Sequence, residues 1–129
     1  VKSMELQESV CFRNEVEVGE VLSVLDMSAV PSVDEGFGYV AVEAQLAGIP
    51  VVAADIGGLA EIVLDEETGL LVSDPEDPAE FAEKMNRLME DEALRKRLSE
   101  DAKIRAKELF SLETMTQKTL AVYQEIEKR

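Results

Sequence analysis

The chain has 129 residues, of which 46% are hydrophobic and 32% are charged, which is typical of one globular domain. Its 28 acidic and 13 basic residues give a formal net charge of −15, which argues against nucleic acid or an anionic membrane as the main partner. One cysteine and no histidine exclude a disulfide framework, a thiolate metal cluster and catalysis by Ser–His or Cys–His pairs. The lone cysteine favours a reducing compartment, and the apolar runs are too short to span a membrane, so we expect a cytoplasmic location.

The first quarter of the chain predicts two short strands around one helix. Ser9–Phe12 is an apolar run suited to a strand, and we expect Cys11 within it to be a buried small hydrophobe rather than a nucleophile. Apolar residues at helical spacing predict a short helix over Gly19–Leu25. Met27–Pro31 is the second strand, in which Ser28 is an unusual polar member. Because the chain begins without an initiator methionine, we expect it to be a piece of a longer protein.

The stretch Val30–Gly58 contains two glycine loops separated by a helix and a strand. The first loop is Pro31–Gly38, and the helix after it begins at Gly38 or Tyr39 and runs to Ala47. We expect this helix to be buried on much of its circumference, including Val40 and Ala47, and a glycine and a proline directly after it predict its end. Residues 51–54 form a fully apolar strand, as in a parallel sheet covered on both faces, and Gly57-Gly58 opens the second loop.

The rest of the chain predicts one or two helical turns over 59–64, a turn, a fourth strand and three helices. The fourth strand is Leu70–Val72, and the helices begin at the N-cap residues Asp77, Asp91 and Ser111. Strands that alternate with helices predict an α/β fold, a Rossmann-like parallel sheet with flanking helices and right-handed crossovers. Ligands bind outside the carboxyl ends of such strands. Both glycine loops directly follow strands, so we expect them at the same edge of the sheet.

The first glycine loop and two glutamates form the candidate binding site. A glycine loop that runs into a helix offers free amide groups and the positive end of the helix dipole, which suits phosphate. Residues 36–39 are neither the dinucleotide fingerprint, whose third glycine is replaced by Ala41, nor a P-loop; a tight strand-to-helix turn is the alternative interpretation. Glu35 lies in this loop, and Glu43 lies inside an otherwise apolar helix, where a carboxylate needs a partner. Each carboxylate can accept hydrogen bonds from two hydroxyl groups, so the pair could bind the hydroxyls of two different sugars. For Glu43 the alternative interpretation is an ordinary exposed position on the helix, without a ligand.

Many short segments carry a pattern beyond these general features: Val30-Pro31-Ser32, Glu35-Gly36-Phe37-Gly38, Glu43-Ala44, Ala47–Ala53, Gly57-Gly58, Glu61-Ile62-Val63, Thr68–Val72, Asp74 and Asp77. Together they resemble the C-terminal nucleotide-binding domain of glycosyltransferase family 4, retaining enzymes with two Rossmann-like domains in the GT-B fold. The similarity covers roughly residues 10–125. Within it, Glu35 and Glu43 match the family's E-x7-E motif.

The resemblance implies transfer of a glycosyl group from a UDP-, GDP- or ADP-sugar to an acceptor with retention, this chain supplying the donor-binding site. Glu35 would be the catalytic residue and would contact hydroxyls of the transferred sugar. Glu43 would hold the ribose hydroxyls. The loop backbone would hold sugar and phosphate at Gly36, Phe37, Gly38 and Tyr39, with Val40 near the diphosphate. The resemblance implies neither a metal nor a cofactor.

The sequence also departs from this family. We expect residues 1–129 to be a partial C-terminal domain, truncated at its N-terminal side, whose partner is the N-terminal acceptor domain of the same enzyme; membrane association of the full-length enzyme would reside there. The family's Arg/Lys pair that neutralises the leaving diphosphate is missing, because Arg13 is the only basic residue between Lys2 and Lys84. Such an acidic chain should bind a nucleoside diphosphate weakly.

Two other interpretations stay open. One is a non-catalytic truncated or engineered fragment that self-associates, as a homodimer through an exposed sheet edge. The other is a different nucleotide-binding α/β domain, which would leave Glu35 and Glu43 without an explanation.

Overall fold

Three parallel strands form the sheet of this α/β fold, which we describe from a computed structural model over residues 2–128. The strands lie side by side in the order β1 (Ser28–Val30), β2 (Val51–Ala54) and β3 (Leu70–Val72). In the register of the sheet, Ala29 lies opposite Val52 and Ala53 opposite Leu71. A short 3-10 helix, Lys2–Met4, precedes the α-helices α1 (Val18–Leu22), α2 (Tyr39–Ala47), α3 (Gly57–Ile62), α4 (Pro78–Glu90), α5 (Glu92–Phe110) and α6 (Leu112–Glu127).

The central strand β2 is the middle of the core. All four of its side chains are 0% exposed, and because successive side chains of a strand point to opposite faces, helices must cover both faces of the sheet. On the side of α2, the small residues Ala41 and Ala44 are fully buried, as are Leu98 and Ala102 of α5. Small side chains let the two helices approach closely, so α5 fixes the position of α2.

A buried glutamine gives α2 a second attachment. Gln45 is 0% exposed, and its Nε2 donates to the backbone oxygen of Thr68 at 3.3 Å and to Thr68 Oγ1 at 3.4 Å. Thr68 Oγ1 in turn accepts from the Leu64 amide at 2.9 Å. The helix that begins in the first glycine loop is therefore tied to the turn before β3.

Three predictions about burial and strands are wrong. Residues 9–12 form no strand, because no neighbouring strand in residues 2–128 pairs with them and a lone strand has no partner for its backbone groups. Leu70–Val72 is consequently the third strand, and Cys11 is exposed instead of buried. Val40 is 57% exposed and Ala47 is also exposed, because the buried side of α2 passes through positions 41, 42, 44 and 45 instead.

Four predicted helix termini are confirmed, whereas the helix predicted over Gly19–Leu25 is Val18–Leu22 and the turns predicted over 59–64 are Gly57–Ile62. Asp77, Asp91 and Ser111 each accept a hydrogen bond from a backbone amide of the following helix, and Gly48 ends α2 in the left-handed conformation at φ +80°. The last helix, α6, has no buried residue. No helix within residues 2–128 is both long and apolar enough to cross a membrane.

Candidate functional site

The two glycine loops meet at the predicted edge, the carboxyl edge of the sheet. The second one, residues 55–58, is shorter than predicted, because Gly57 and Gly58 already form the first turn of α3; we keep the name second glycine loop for residues 55–58. The Gly58 amide donates to the backbone oxygen of Glu35 at 3.2 Å. A Cβ atom at Gly57 would lie 2.2 Å from that same oxygen, and one at Gly58 would lie 2.2 Å from the oxygen of Phe37. Only glycine allows this approach, so the second loop supports the backbone of the first.

Gly38 places the start of α2 at this edge. Its φ of +101° is left-handed, and an added Cβ would lie 2.8 Å from Leu59 Cδ2. Gly38 is the N-cap of α2 but has no side chain to cap it, and the first turn contains no acidic residue. The first amides of a helix lack intrahelical partners and carry the positive end of its dipole. The start of α2 can therefore accept an anion.

The two glutamates lie on either side of this helix start. Glu35 is half-buried in the loop, and Ser32 Oγ lies 3.5 Å from its Oε2. Glu43 is exposed, so its carboxylate does not need the partner that the apolar helix led us to expect. It lies one turn after Tyr39 on the same exposed face of α2, about 6 Å along the axis. The arrangement places one carboxylate in the loop and one beyond the helix start.

An aromatic cluster that the sequence did not predict touches the loop. The Phe37 ring lies 4.8 Å from the Tyr39 ring and 6.0 Å from that of Phe110, edge-on at 84°. The Arg105 guanidinium lies 5.9 Å from the centre of the Phe110 ring, and it donates to the backbone oxygens of Ile62 and Glu61 at 2.9 and 3.0 Å. The contact between Phe37 and Phe110 joins residues 73 positions apart in the chain (110 − 37), for which the sequence carries no local signal.

The charges around the loops are acidic. Asp34, Glu35, Glu43 and Asp55 lie on or near them, and no lysine or arginine occurs between Arg13 and Lys84. The guanidinium of Arg105 is held at the end of α3 by two carbonyl groups, where a cation stabilises the helix dipole. The anion-binding capacity of this edge therefore rests on backbone amides.

A third loop follows β3 at the same edge. Glu80 of α4 reaches back to it, accepting hydrogen bonds from the Ser73 amide at 3.1 Å and the Asp74 amide at 3.3 Å. The Ser73 amide, with help from its hydroxyl, lowers the pKa of Glu80 from its ordinary value. Elsewhere, a hydrogen bond from Arg87 lowers the pKa of Glu66, in the turn before β3.

A separate open concavity of about 460 Å³ lies by Gly48 and Pro50, at the end of α2 that is opposite the glycine loops.

A three-stranded parallel sheet with flanking helices, and with a glycine loop and an uncapped helix start at its carboxyl edge, defines an α/β protein of the Rossmann-like class. The sequence pattern of the family described as "Glycosyl transferases group 1" matches residues 1–105. The chain belongs to this family, and its structural neighbours are glycosyltransferases of the GT-B fold.

The individual relatives agree. A D-inositol 3-phosphate glycosyltransferase of Nocardioides sp. is 45% identical over 107 residues, 83% of this chain and 23% of its own length. Sucrose-phosphate synthase of Thermosynechococcus elongatus superposes with a TM-score of 0.91 at 32% identity, covering 98% of this chain and 32% of its own. Anabaena HepE in complex with UDP-glucose gives a TM-score of 0.79 at 31% identity, over 88% and 31% of the two chains. The chain thus spans about a quarter of the length of the curated relatives it matches.

Proposed function

We propose that this chain supplies the donor-binding site for transfer of a sugar from a nucleoside diphosphate sugar to an acceptor, with retention at the anomeric carbon. The observation that carries the proposal is the meeting of both glycine loops at the uncapped start of α2, with Glu35 and Glu43 on either side of it. Related HepE in complex with UDP-glucose supports the donor class.

The geometry suggests a role for each group. The amides of residues 36–39 would bind the diphosphate and the sugar, since they lie at the positive end of α2. Exposed Val40 would lie beside the diphosphate. Glu43, one turn further, would accept hydrogen bonds from the two ribose hydroxyls. Glu35, held in the loop, would contact hydroxyls of the transferred sugar.

We further propose that residues 1–129 form part of a larger enzyme in which a second domain binds the acceptor. The chain covers 23% of the Nocardioides relative and 32% of the Thermosynechococcus enzyme, so most of each relative lies outside the matched region. On this proposal the chain alone binds the donor but does not transfer the sugar.

Calorimetric titration of the chain with UDP-, GDP- and ADP-glucose tests the donor site. We expect binding in the millimolar range or tighter for one of the three nucleotides, and a loss of at least about tenfold in Glu35→Ala and Glu43→Ala, because each would lose a hydrogen bond to a charged group. Glu83→Ala, an exposed glutamate on α4, is the matched control and should bind as the wild type does.

Two results would contradict the proposal. If none of the three sugar nucleotides binds to the folded chain, it has no donor site of its own. If a sugar nucleotide binds but Glu35→Ala and Glu43→Ala retain the affinity, the site assignment is wrong.

Self-association is a second candidate property. The outer edge of β1 pairs with no strand in residues 2–128, and α6 exposes Leu112 (75%), Tyr123 (66%) and Ile126 (60%). Exposed apolar patches and open sheet edges favour association. Sedimentation equilibrium at micromolar concentrations distinguishes a dimer from a monomer, and a monomer throughout would exclude this candidate under those conditions.

A further inference from the structure

We propose that Phe110 and Arg105 are positioning residues for the first glycine loop, and that they act on it through the side chain of Phe37. The proposal rests on the proposed function, because it assigns a role in donor binding to two residues distant from the loop in sequence. It follows from a closed circuit of contacts that joins the first glycine loop, α3 and α5.

One half of the circuit is backbone. The Gly58 amide donates to the Glu35 oxygen at 3.2 Å, so the first turn of α3 holds the loop from one side. At the other end of α3, the Arg105 guanidinium donates to the last backbone oxygens of the helix, those of Glu61 and Ile62. Arg105 thereby connects the end of α3 to α5.

The other half consists of rings. The guanidinium of Arg105 lies 5.9 Å from the centre of the Phe110 ring, and Phe110 meets Phe37 edge-on at 6.0 Å. Both geometries are attractive, because a cation and a ring edge each carry positive charge toward the negative face of a ring. The Phe37 side chain is therefore held by α5 on one side, while α3 holds the loop backbone two residues earlier, at the Glu35 oxygen.

Phe110 stands on a fixed support. It is the last residue of α5, and the next residue, Ser111, caps α6 by accepting from the Thr114 amide at 3.1 Å. Thr114 Oγ1 also donates to the backbone oxygen of Glu108 at 2.8 Å. These bonds fix the corner between α5 and α6. Phe110 therefore cannot follow a movement of Phe37, and such a movement breaks the contact between the two rings.

The consequence concerns the ligand. The amide of Phe37 lies in the proposed phosphate-binding loop, and its side chain is the part of the loop that touches Phe110. An aromatic pair of this kind corresponds to about a threefold to tenfold difference in an equilibrium constant. We expect Phe110→Leu, which keeps an apolar side chain but removes the ring, to weaken binding of the preferred sugar nucleotide by about that factor.

The matched control is Phe12→Leu, since Phe12 is 78% exposed and lies outside the circuit; it should bind as the wild type does. A double-mutant cycle with Phe37→Leu separates positioning from general destabilisation. If Phe110 acts through Phe37, the double variant should bind no more weakly than Phe37→Leu alone. Additive losses, or wild-type affinity in Phe110→Leu, would overturn the proposal.

Amide hydrogen exchange without ligand gives a second readout. In Phe110→Leu we expect faster exchange at the Gly58 amide, which donates to the Glu35 oxygen of the loop, than in the wild type, with exchange in β2 unchanged, and no change in Phe12→Leu. Unchanged exchange at the Gly58 amide would overturn the proposal. Because this readout needs no nucleotide, it decides the role of Phe110 even if the wild-type chain binds no sugar nucleotide and the proposed function fails.

Discussion

Replacement of Gly58 by alanine tests whether contact between the two glycine loops shapes the site. The added Cβ would lie 2.2 Å from the Phe37 oxygen, 2.6 Å from its Cα and 2.7 Å from its carbonyl carbon. All three atoms are backbone, so no side chain can rotate away. Real Cβ contacts essentially never fall below 3.0 Å, so the two loops must separate by at least about 0.8 Å, the difference between 3.0 and 2.2 Å.

The size of the effect follows from this separation. Forcing an extra methyl group into a packed contact costs about 1–3 kcal/mol of unfolding free energy, which lowers Tm by roughly 4 °C per kcal/mol in a domain of this size. The displaced loop also moves the amides that we propose bind phosphate. A hydrogen bond to a charged group contributes about 1.5–3 kcal/mol, so losing one should weaken nucleotide binding at least about tenfold.

Urea unfolding and calorimetric titration with the preferred sugar nucleotide measure both effects. Gly19→Ala is the matched control, because a Cβ there meets no atom within 4 Å and α1 lies outside the loops; it should match the wild type in nucleotide affinity and should not unfold at lower urea. If Gly58→Ala has the wild-type unfolding midpoint and the wild-type affinity, the contact between the loops is not what positions the site.

Two further predictions concern stability. Leu98 is 0% exposed, so Leu98→Ala should lower the unfolding free energy by about 2–5 kcal/mol. The control Leu112→Ala, at a site that is 75% exposed, should change the unfolding free energy by less than about 0.5 kcal/mol. Equal losses of the two variants in urea unfolding would refute the assignment of Leu98 to the core. Amide donors lower the pKa of Glu80 below its ordinary value of 4.5, so its ionised form stabilises the fold above that pH, and this stabilisation is lost as the pH falls through the lowered pKa. Glu80→Gln should therefore unfold at lower urea than the wild type at pH 7, with the difference shrinking at pH 3, and a difference independent of pH would contradict this.

The features that the sequence predicted correctly have local causes. Asp77, Asp91 and Ser111 cap helices by accepting hydrogen bonds from amides two or three residues away. Helix capping therefore depends only on neighbouring residues, which the sequence shows directly. The meeting of the two loops followed from topology, because parallel strands end at a common edge. Local chemistry and sheet topology together were enough to predict that residues 35–39 and Gly57-Gly58 lie at the carboxyl edge of the sheet.

The features that the sequence did not predict depend on contacts across the chain. Residues 9–12 have an apolar composition suited to a strand, but a strand forms only beside another strand, and none in residues 2–128 pairs with them. A polar helix residue such as Gln45 is expected to be exposed, yet it is fully buried, because its side-chain amide donates a hydrogen bond to the backbone oxygen of Thr68. The packing of α5 brings Phe110 against Phe37 of the loop, and Arg105 contacts Phe110 and the end of α3. The spacing of residues within one helix or one strand cannot predict contacts between elements that are far apart in the chain.

The charge of the site leads to a last prediction, on salt. A helix start is equivalent to about half a positive charge, which is less than a diphosphate needs, and Asp34, Glu35 and Asp55 add negative charge to the same edge. Because no lysine or arginine occurs between Arg13 and Lys84 and Arg105 is engaged by α3 carbonyls, repulsion should dominate at long range in a chain of net charge −15.

Salt screens repulsion between exposed charges, with a Debye length of about 30 Å at 0.01 M and about 8 Å at 0.15 M. We therefore expect UDP to bind this chain more tightly at 0.15 M than at 0.01 M salt, the opposite of a site closed by a cationic clamp. Uridine, which carries no phosphate, is the control and should bind equally at both concentrations. Weaker UDP binding at the higher concentration would mean that a basic side chain of this chain reaches the diphosphate, and that backbone amides are not its main support.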